Sequence, residues 1–372
     1  MKKLKMGMIG GGQGAFIGAV HRIASAMDSN IEMVCGALSS TVEKSIESGK
    51  ALGLKRVYGT YKEMLEKESM LPEDERMDFV SIVTPTGTHF DIIMETLKYD
   101  FAIVCDKPLC VTLEEAIKIK DIIKSKNTLF CLTHNYTGYS MVKEAREIVR
   151  RGDIGKIIRI VVEYPQGWLM GVDDPKSGWR MDPKSGISFT MADIGCHAAN
   201  LAEYISDLKI ESVCGDLQGI LADPLDDDGS VLVKYNNGAK GIVWASSVLC
   251  GELNGLNIRV YGNKGCIYWN QEEPNTLITK YSSKPDQIIH TNDGRTSAYA
   301  ASFTRIPAGH PEGFIEAFAN IYKDFYYTLI AKKEGKSYTS DFPDINVAVH
   351  MISFITGVIE SNKTQSWTKL KH

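Results

Sequence analysis

Leu4-Lys5-Met6-Gly7-Met8-Ile9-Gly10-Gly11-Gly12-Gln13-Gly14-Ala15-Phe16-Ile17-Gly18 passes from an apolar run through a glycine cluster into a segment with helical spacing. A buried strand that turns at once into a helix favours glycine in the turn. Glycine tolerates φ > 0 and lets backbone approach backbone or ligand closely. Gly10 suits the tight turn, and Gly12 and Gly14 leave room for a pyrophosphate. The free N–H groups at the start of the helix then face the anion. A glycine cluster alone is weak evidence; its place in the first strand–helix unit makes a dinucleotide site the reading.

The alternation continues outward from this stretch. Strands are expected at Ile31–Leu38, Phe79–Val83, Ala102–Cys105 and Leu129–Thr133. Helices are expected at Phe16–Met27, Thr41–Leu52, Asp91–Lys98 and Leu113–Lys124. Short apolar runs bounded by Gly, Pro and Thr predict parallel strands buried on both faces, hence an α/β, doubly wound parallel sheet. After His134 the pattern changes. A helix over Tyr139–Arg150 leads into strands at Ile157–Tyr164, Ser212–Leu221, Ser230–Tyr235, Gly241–Ser246, Leu256–Tyr261 and Cys266–Trp269. Asn236-Asn237-Gly238 and Gly262-Asn263-Lys264-Gly265 are hairpin turn signals, so this second sheet is expected to be mostly antiparallel. One helix near Met191–Ile205 interrupts it, and helices at Glu312–Ala331 and Ile345–Glu360 close the chain. Two domains follow, over 1–135 and 136–372.

The chain has 372 residues, 44% apolar and 24% charged, which suits a globular protein of two domains. A net charge of −4 without a basic block argues against nucleic acid as a partner. The basic opening residues run into glycines instead of an apolar signal core, and Met351–Ile359 is short for a bilayer span. A cytoplasmic protein with no membrane partner is expected. None of the eight cysteines forms a Cys-x-x-Cys pair, so reduced, buried thiols are expected. Asp226-Asp227-Asp228 reads as a solvated turn, with no His or Cys nearby to make a metal site.

Two further motifs carry chemistry. Cys105-Asp106-Lys107-Pro108-Leu109 closes a strand at the end where such sheets bind ligands, so Lys107 is aimed at the cofactor. A lysine there can donate to a substrate oxygen and stabilise alkoxide character. Met191-Ala192-Asp193-Ile194-Gly195-Cys196-His197 puts Asp193 and His197 four apart, on one face of a helix. Histidine suits a general base near neutral pH, and a carboxylate can orient it. At the end of the second strand, Ala37-Leu38-Ser39-Ser40 replaces the acid that usually grips the adenosine ribose. Ser39 and Ser40 can bond ribose without repelling a 2′-phosphate, so NAD versus NADP stays open and leans to NAD.

The glycine loop ending in Ile17-Gly18-Ala19-Val20-His21, with Val83-Thr84-Pro85-Thr86-x-x-His89, Asp106-Lys107-Pro108 and Asp193-x-Gly195-x-His197, resembles the Gfo/Idh/MocA oxidoreductases over nearly the whole chain. The resemblance implies a Rossmann domain and a C-terminal α/β domain with a large open sheet through which homo-oligomers form. It also implies a catalytic set of Lys107, Asp193 and His197. By the same resemblance Phe16, Ile17, Thr84, Pro85, His89, Asp106 and Lys107 join the cofactor site. Two departures stand out: Asp106 replaces the usual Glu, and the phosphate loop is longer, so that Gly18 takes the third glycine position.

Ala37–Ser40, Asn135-Tyr136-Thr137-Gly138-Tyr139 and Arg305-Ile306-Pro307-Ala308-Gly309-His310-Pro311-Glu312-Gly313 resemble the branch containing levoglucosan dehydrogenase and bacterial glycoside 3-dehydrogenases. That branch implies oxidation of the C3 hydroxyl of a glucose-type sugar or glycoside, with NAD as acceptor and in some cases held tightly. Tyr136, Gln166, Trp168, Trp179, Arg180, Asp193, His197 and His310 are the expected substrate residues, since sugars need aromatic faces and hydrogen-bond partners together. The loop 165–187 is expected to cap the site. An NAD-recycling glycosidase or lyase, an inositol or glucose dehydrogenase, and a sugar-sensing regulator without catalysis are the alternatives.

Overall fold

The protein is described by a computed structural model over residues 3–174, 181–182 and 186–371. The chain divides into two compact units. The first comprises Met1–Asn135 and Phe318–Val349, the second Tyr136–Ala317 and His350–His372.

In the first unit β1 (Leu4–Gly10), α1 (Phe16–Ala26), β2 (Ile31–Ala37), α2 (Val42–Ala51), β3 (Arg56–Val57), α3 (Tyr61–Met70), β4 (Phe79–Val83), α4 (His89–Thr96), β5 (Ala102–Cys105), α5 (Leu113–Lys126) and β6 (Phe130–Leu132) follow in order. The six strands form one sheet in the order β3-β2-β1-β4-β5-β6. Every pairing in it is parallel. The strands are apolar throughout because both faces are covered: Met6, Met8, Phe79, Val80, Ile82, Ile103 and Val104 are buried. The start of α5 has a capping box, Thr112 with Glu115, and its end turns on left-handed Asn127. Sequence spacing missed β3 and α3. Only Met64, Leu65 and Glu68 of α3 are buried, which leaves too few apolar positions for a helical period to show.

The second unit opens with α6 (Ser140–Arg150) and β7 (Ile157–Pro165), and then reaches α7 (Cys196–Ser206). β8 (Ile210–Gln218), β9 (Asp228–Tyr235), β10 (Lys240–Ser246), β11 (Asn257–Gly262), β12 (Gly265–Asn270), β13 (Thr276–Tyr281) and β14 (Gln287–His290) follow. A short α8 (Ala298–Ala301) precedes two long helices, α9 (Phe314–Lys333) and α10 (Ile345–Thr364), and β15 (Thr368–Lys369) ends the chain. The nine strands are ordered β14-β13-β12-β11-β7-β10-β9-β8-β15. The sheet is antiparallel except where β10 runs parallel to β7. Both hairpin signals fall where expected, with Gly238 at φ 86° between β9 and β10. β13, β14 and β15 went unread in the sequence.

The division differs from the 1–135 and 136–372 partition expected. Phe318–Val349 packs with the first unit, where the Tyr322 and Phe325 rings of α9 lie tilted and edge-on to Phe79 of β4, with centroids 6.5 and 4.9 Å away. Leu132 N–H also donates to Pro343 O at 2.8 Å. A local periodicity cannot announce such a return. All eight cysteines are free; five are buried and Cys250 is exposed. Among the described residues no helix is long and apolar enough to cross a membrane.

Candidate active site

The carboxyl ends of β1, β2, β4 and β5 carry the sequence-predicted cofactor residues. Each glycine of the loop answers a different neighbour. A Cβ at Gly12 would stand 2.6 Å from Leu38 O and 2.8 Å from Ser48 Oγ. Its missing side chain therefore admits the end of β2 and Ser48 of α2 to the loop. Gly12 N–H donates to that same Leu38 O at 3.1 Å and so holds Ser39 and Ser40 beside the loop. A Cβ at Gly18 would run into the Gly11 backbone, so Gly18 is the close-packing glycine of α1. Gly10 (φ 79°) abuts Val83 and Thr84, whereas Gly14 (φ 80°) faces open space. Phe16, at the first turn of α1, is 76% exposed, and Ala15 gives that helix no side-chain cap. Open space at Gly14, uncapped N–H groups at Phe16 and Ile17, and the Ser39 and Ser40 hydroxyls fit a dinucleotide's phosphates and ribose.

Thr84 and Pro85 follow β4, and Thr84 Oγ1 accepts from Thr88 at 2.8 Å. His89 is fully buried; its ring bridges Pro108 O (2.9 Å) and Thr84 O (2.8 Å). It braces the two segments that carry Pro85 and Lys107 and has no surface for a cofactor, contrary to the expectation. Burial lowers its pKa against those bonds and the Asp106 charge. Lys107 is partly exposed just past β5. Asp106 accepts from Lys107 N–H and Thr133 Oγ1, both at 2.9 Å, and lies 3.8 Å from His21 Nε2. Burial opposes its ionisation, but the nearby His21 imidazole and the charges of Lys107 and His89 hold its pKa net below the usual carboxylate range. His134 is pushed down to about 3 by burial, with the Lys107 charge adding to it, and is therefore neutral.

In the second unit the segment carrying Asp193 is a π-helical turn, Met191–Gly195, not the start of a regular α-helix. Such turns recur at functional sites. His197 follows in the first turn of α7 and is 6% exposed. The π turn is held by Asp226, which accepts from Phe189 N–H (3.1 Å) and Met191 N–H (2.8 Å). Asp227 accepts from the N–H groups of Ile220, Leu221 and Ala222. Both acids are buried, so the solvated turn expected at 226–228 is a backbone-binding knot that shapes the site. Burial raises the Asp226 pKa against bonds from Ser188, Met191 and Phe189.

Tyr136 stands edge-on to His197, with ring centroids 4.9 Å apart and planes at 87°. It is buried, and its hydroxyl meets Tyr164 Oη and Asn254 Nδ2. Gln166 lies between Asn254 (2.7 Å) and the Trp168 indole N–H (3.0 Å). Tyr136 and Gln166 thus both belong to a hydrogen-bonded protein network around Asn254. The Trp168 ring is 43% exposed and packs edge-on against Phe189. His310 is exposed on the loop before α9, its Nδ1 3.1 Å from Pro307 O. Trp179 and Arg180 lie outside the described residues, as does part of the expected capping loop. Sequence reasoning missed Asn254, Tyr164 and Gln271, for which no motif signalled, and read His21 as part of the glycine-loop motif without seeing that it lies 3.8 Å from Asp106. No His, Cys, Asp and Glu cluster able to hold a metal occurs among the described residues.

Residues 4–136 match the model of an oxidoreductase family with an NAD-binding Rossmann fold, and residues 142–268 match the GFO/IDH/MocA C-terminal domain. An oxidoreductase structure from Sinorhizobium meliloti is 40% identical, over 99% of this chain and 100% of that one, with a TM-score of 0.90. An inositol dehydrogenase homologue from Azotobacter vinelandii, solved with NAD+, is 30% identical over 99% of this chain and 97% of that one, with a TM-score of 0.92. It is also solved with NADH and myo-inositol. Levoglucosan dehydrogenase of Pseudarthrobacter phenanthrenivorans is 25% identical over 99% of this chain and 98% of that one.

Proposed function

Because the chain belongs to the Gfo/Idh/MocA oxidoreductase family and its first unit is the NAD-binding Rossmann domain, we propose that it oxidises a secondary ring hydroxyl of a sugar or cyclic polyol. The single observation that carries this reading is the buried His197 imidazole, held edge-on by Tyr136 and following a π turn that carries Asp193. Bound to the glycine loop and the strand ends, NAD+ supplies a hydride acceptor. The residues of the chain supply the proton chemistry. His197 takes the hydroxyl proton on an imidazole nitrogen. Asp193 orients the imidazole and stabilises its charged form. Lys107 Nζ donates to the substrate oxygen as negative charge grows there. Asp106 keeps an anion beside Lys107. The exposed Trp168 face suits the C–H face of a sugar ring.

The finer reading is the C3 hydroxyl of a glucose-type pyranose or glycoside, supported by the likeness to levoglucosan dehydrogenase. Inositol is a second reading, favoured by the 30% identity to the Azotobacter homologue. Incubation with NAD+ and glucose, levoglucosan, inositols or aryl glycosides distinguishes them. The reading expects absorbance of reduced cofactor and a ketone at C3 by NMR. A ketone elsewhere overturns the position, and no NAD+ reduction with any of them overturns the function.

A homo-oligomer formed through the second sheet belongs to the same proposal. Cys214, Leu232, Ile242, Val161, Arg259, Tyr268, Ile278 and Ile288 pair in turn across eight strands, making one largely apolar row on the outer face. Leu232 and Ile288 are half exposed in the single chain. Light scattering on the assayed sample reads the mass, and a monomer contradicts this part.

A further inference from the structure

The hydrogen bonds around Asn254 have a direction, and the indole of Trp168 sets it. Indole N–H donates and never accepts. The Gln166 atom 3.0 Å away is therefore its carbonyl Oε1. Gln166 Nε2 then faces Asn254 at 2.7 Å, so the Asn254 atom there is Oδ1. Oδ1 also takes the Tyr164 hydroxyl proton at 2.9 Å. Asn254 Nδ2 must point the other way, to Gln271 Oε1 at 3.0 Å and the Tyr136 hydroxyl oxygen at 3.4 Å. Gln271 Nε2 continues the chain to Tyr139 Oη at 3.3 Å. With its own proton committed to Asn254, Tyr164 accepts in its contact with Tyr136, so Tyr136 donates there. The phenol of Tyr136 is thus gripped by Asn254 on its lone pair and by Tyr164 on its proton.

This network binds little that is free to move. Tyr136, Tyr139 and Tyr164 are buried, and only Trp168 shows a large surface. Tyr136 also stacks on Tyr139, which leans on Trp269 at 5.2 Å. What the network holds in place is the ring edge against His197. We propose that Asn254 is a positioning residue for His197, the hub through which the placement of the Trp168 indole reaches the base. The proposal rests on the reading of His197 as base. It assigns Gln166 and Asn254 to alignment and not to substrate binding. A sugar stacked on Trp168 would meet a base whose orientation its own platform helps to set.

Asn254→Asp keeps size but turns an acceptor toward Gln271 Oε1 and Tyr136. Gln166→Glu still satisfies Trp168 but sets acceptor against acceptor at Asn254. Asn254→Leu removes the hub. Two readouts apply to the full-length protein. The first is the ring resonance of His197 in ¹H–¹³C spectra, assigned by its loss in His197→Asn; ring current from Tyr136 makes it sensitive to their geometry without any turnover. The second is the split between kcat and KM for the best sugar. The expected result is a displaced His197 resonance in all three variants. kcat should fall by about tenfold or more, with a smaller change in KM, as for a misaligned catalytic group. An unmoved resonance, or a moved one with full turnover, overturns the proposal. If Asn254→Leu fails to fold, the two isosteric variants decide. If no sugar reduces NAD+ with the unaltered protein, the functional reading falls, and the resonance alone decides whether Asn254 places the ring.

Discussion

Replacing His197 with alanine is expected to lower turnover of the preferred sugar by about 10²–10⁴-fold, the range a general base contributes. His197 is buried at the start of α7, edge-on to Tyr136, after a π turn that Asp226 holds through two backbone N–H groups. A histidine kept only for packing would cost stability when shortened, and its loss would leave the chemistry near normal in the surviving folded protein. A base would cost rate. The two are separated by measuring kcat, thermal unfolding and NAD+ affinity on the same preparation. NAD+ affinity should stay within about twofold, because the glycine loop belongs to the other unit. His197→Asn serves as a second, polar variant. Near-normal turnover in both contradicts the assignment.

Lys107→Met should lower kcat by about 10²–10³-fold, as removal of a donor aimed at developing charge does. Methionine keeps the length and apolar stem of the side chain, so the loss reports the ammonium. Asp106, whose pKa is held below the usual carboxylate range, stays in place at the end of β5, bonded to Thr133 and to the residue 107 backbone. Lys107→Arg should rescue only in part, since a planar fork does not reproduce a compact donor. Steady-state kinetics with the same sugar check both variants. A fall in kcat worth less than about 1 kcal/mol for Lys107→Met contradicts the role.

Much of this was legible in residue order. The glycine loop lies where β1 meets α1, the strand at Phe79–Val83 matches to the residue, and Gly18 is the close-packing glycine. These features are local: a turn, a period, a spacing along one element. What escaped depends on contacts between distant segments. Gly12 answers Leu38 and Ser48, which only the folded end of β2 brings near. His89 bridges two carbonyls and is spent as a brace. Asp226 and Asp227 look like a charged surface turn until the backbone N–H groups of 189–191 and 220–222 close over them. Asn254 sits in a loop with no motif, and its importance lies in four side chains from elsewhere in the chain.

Hydride is expected to leave a ring carbon of a sugar or cyclic polyol for NAD+. Glucose, or the best substrate of the panel, labelled with deuterium at the carbon bearing the reacting hydroxyl tests it most directly. One turnover is run with NAD+, and the cofactor is released and weighed by mass spectrometry. One deuterium in the reduced cofactor and a ketone at the labelled carbon are expected. Deuterium found in water, or retained in the sugar with the cofactor still oxidised, would contradict it.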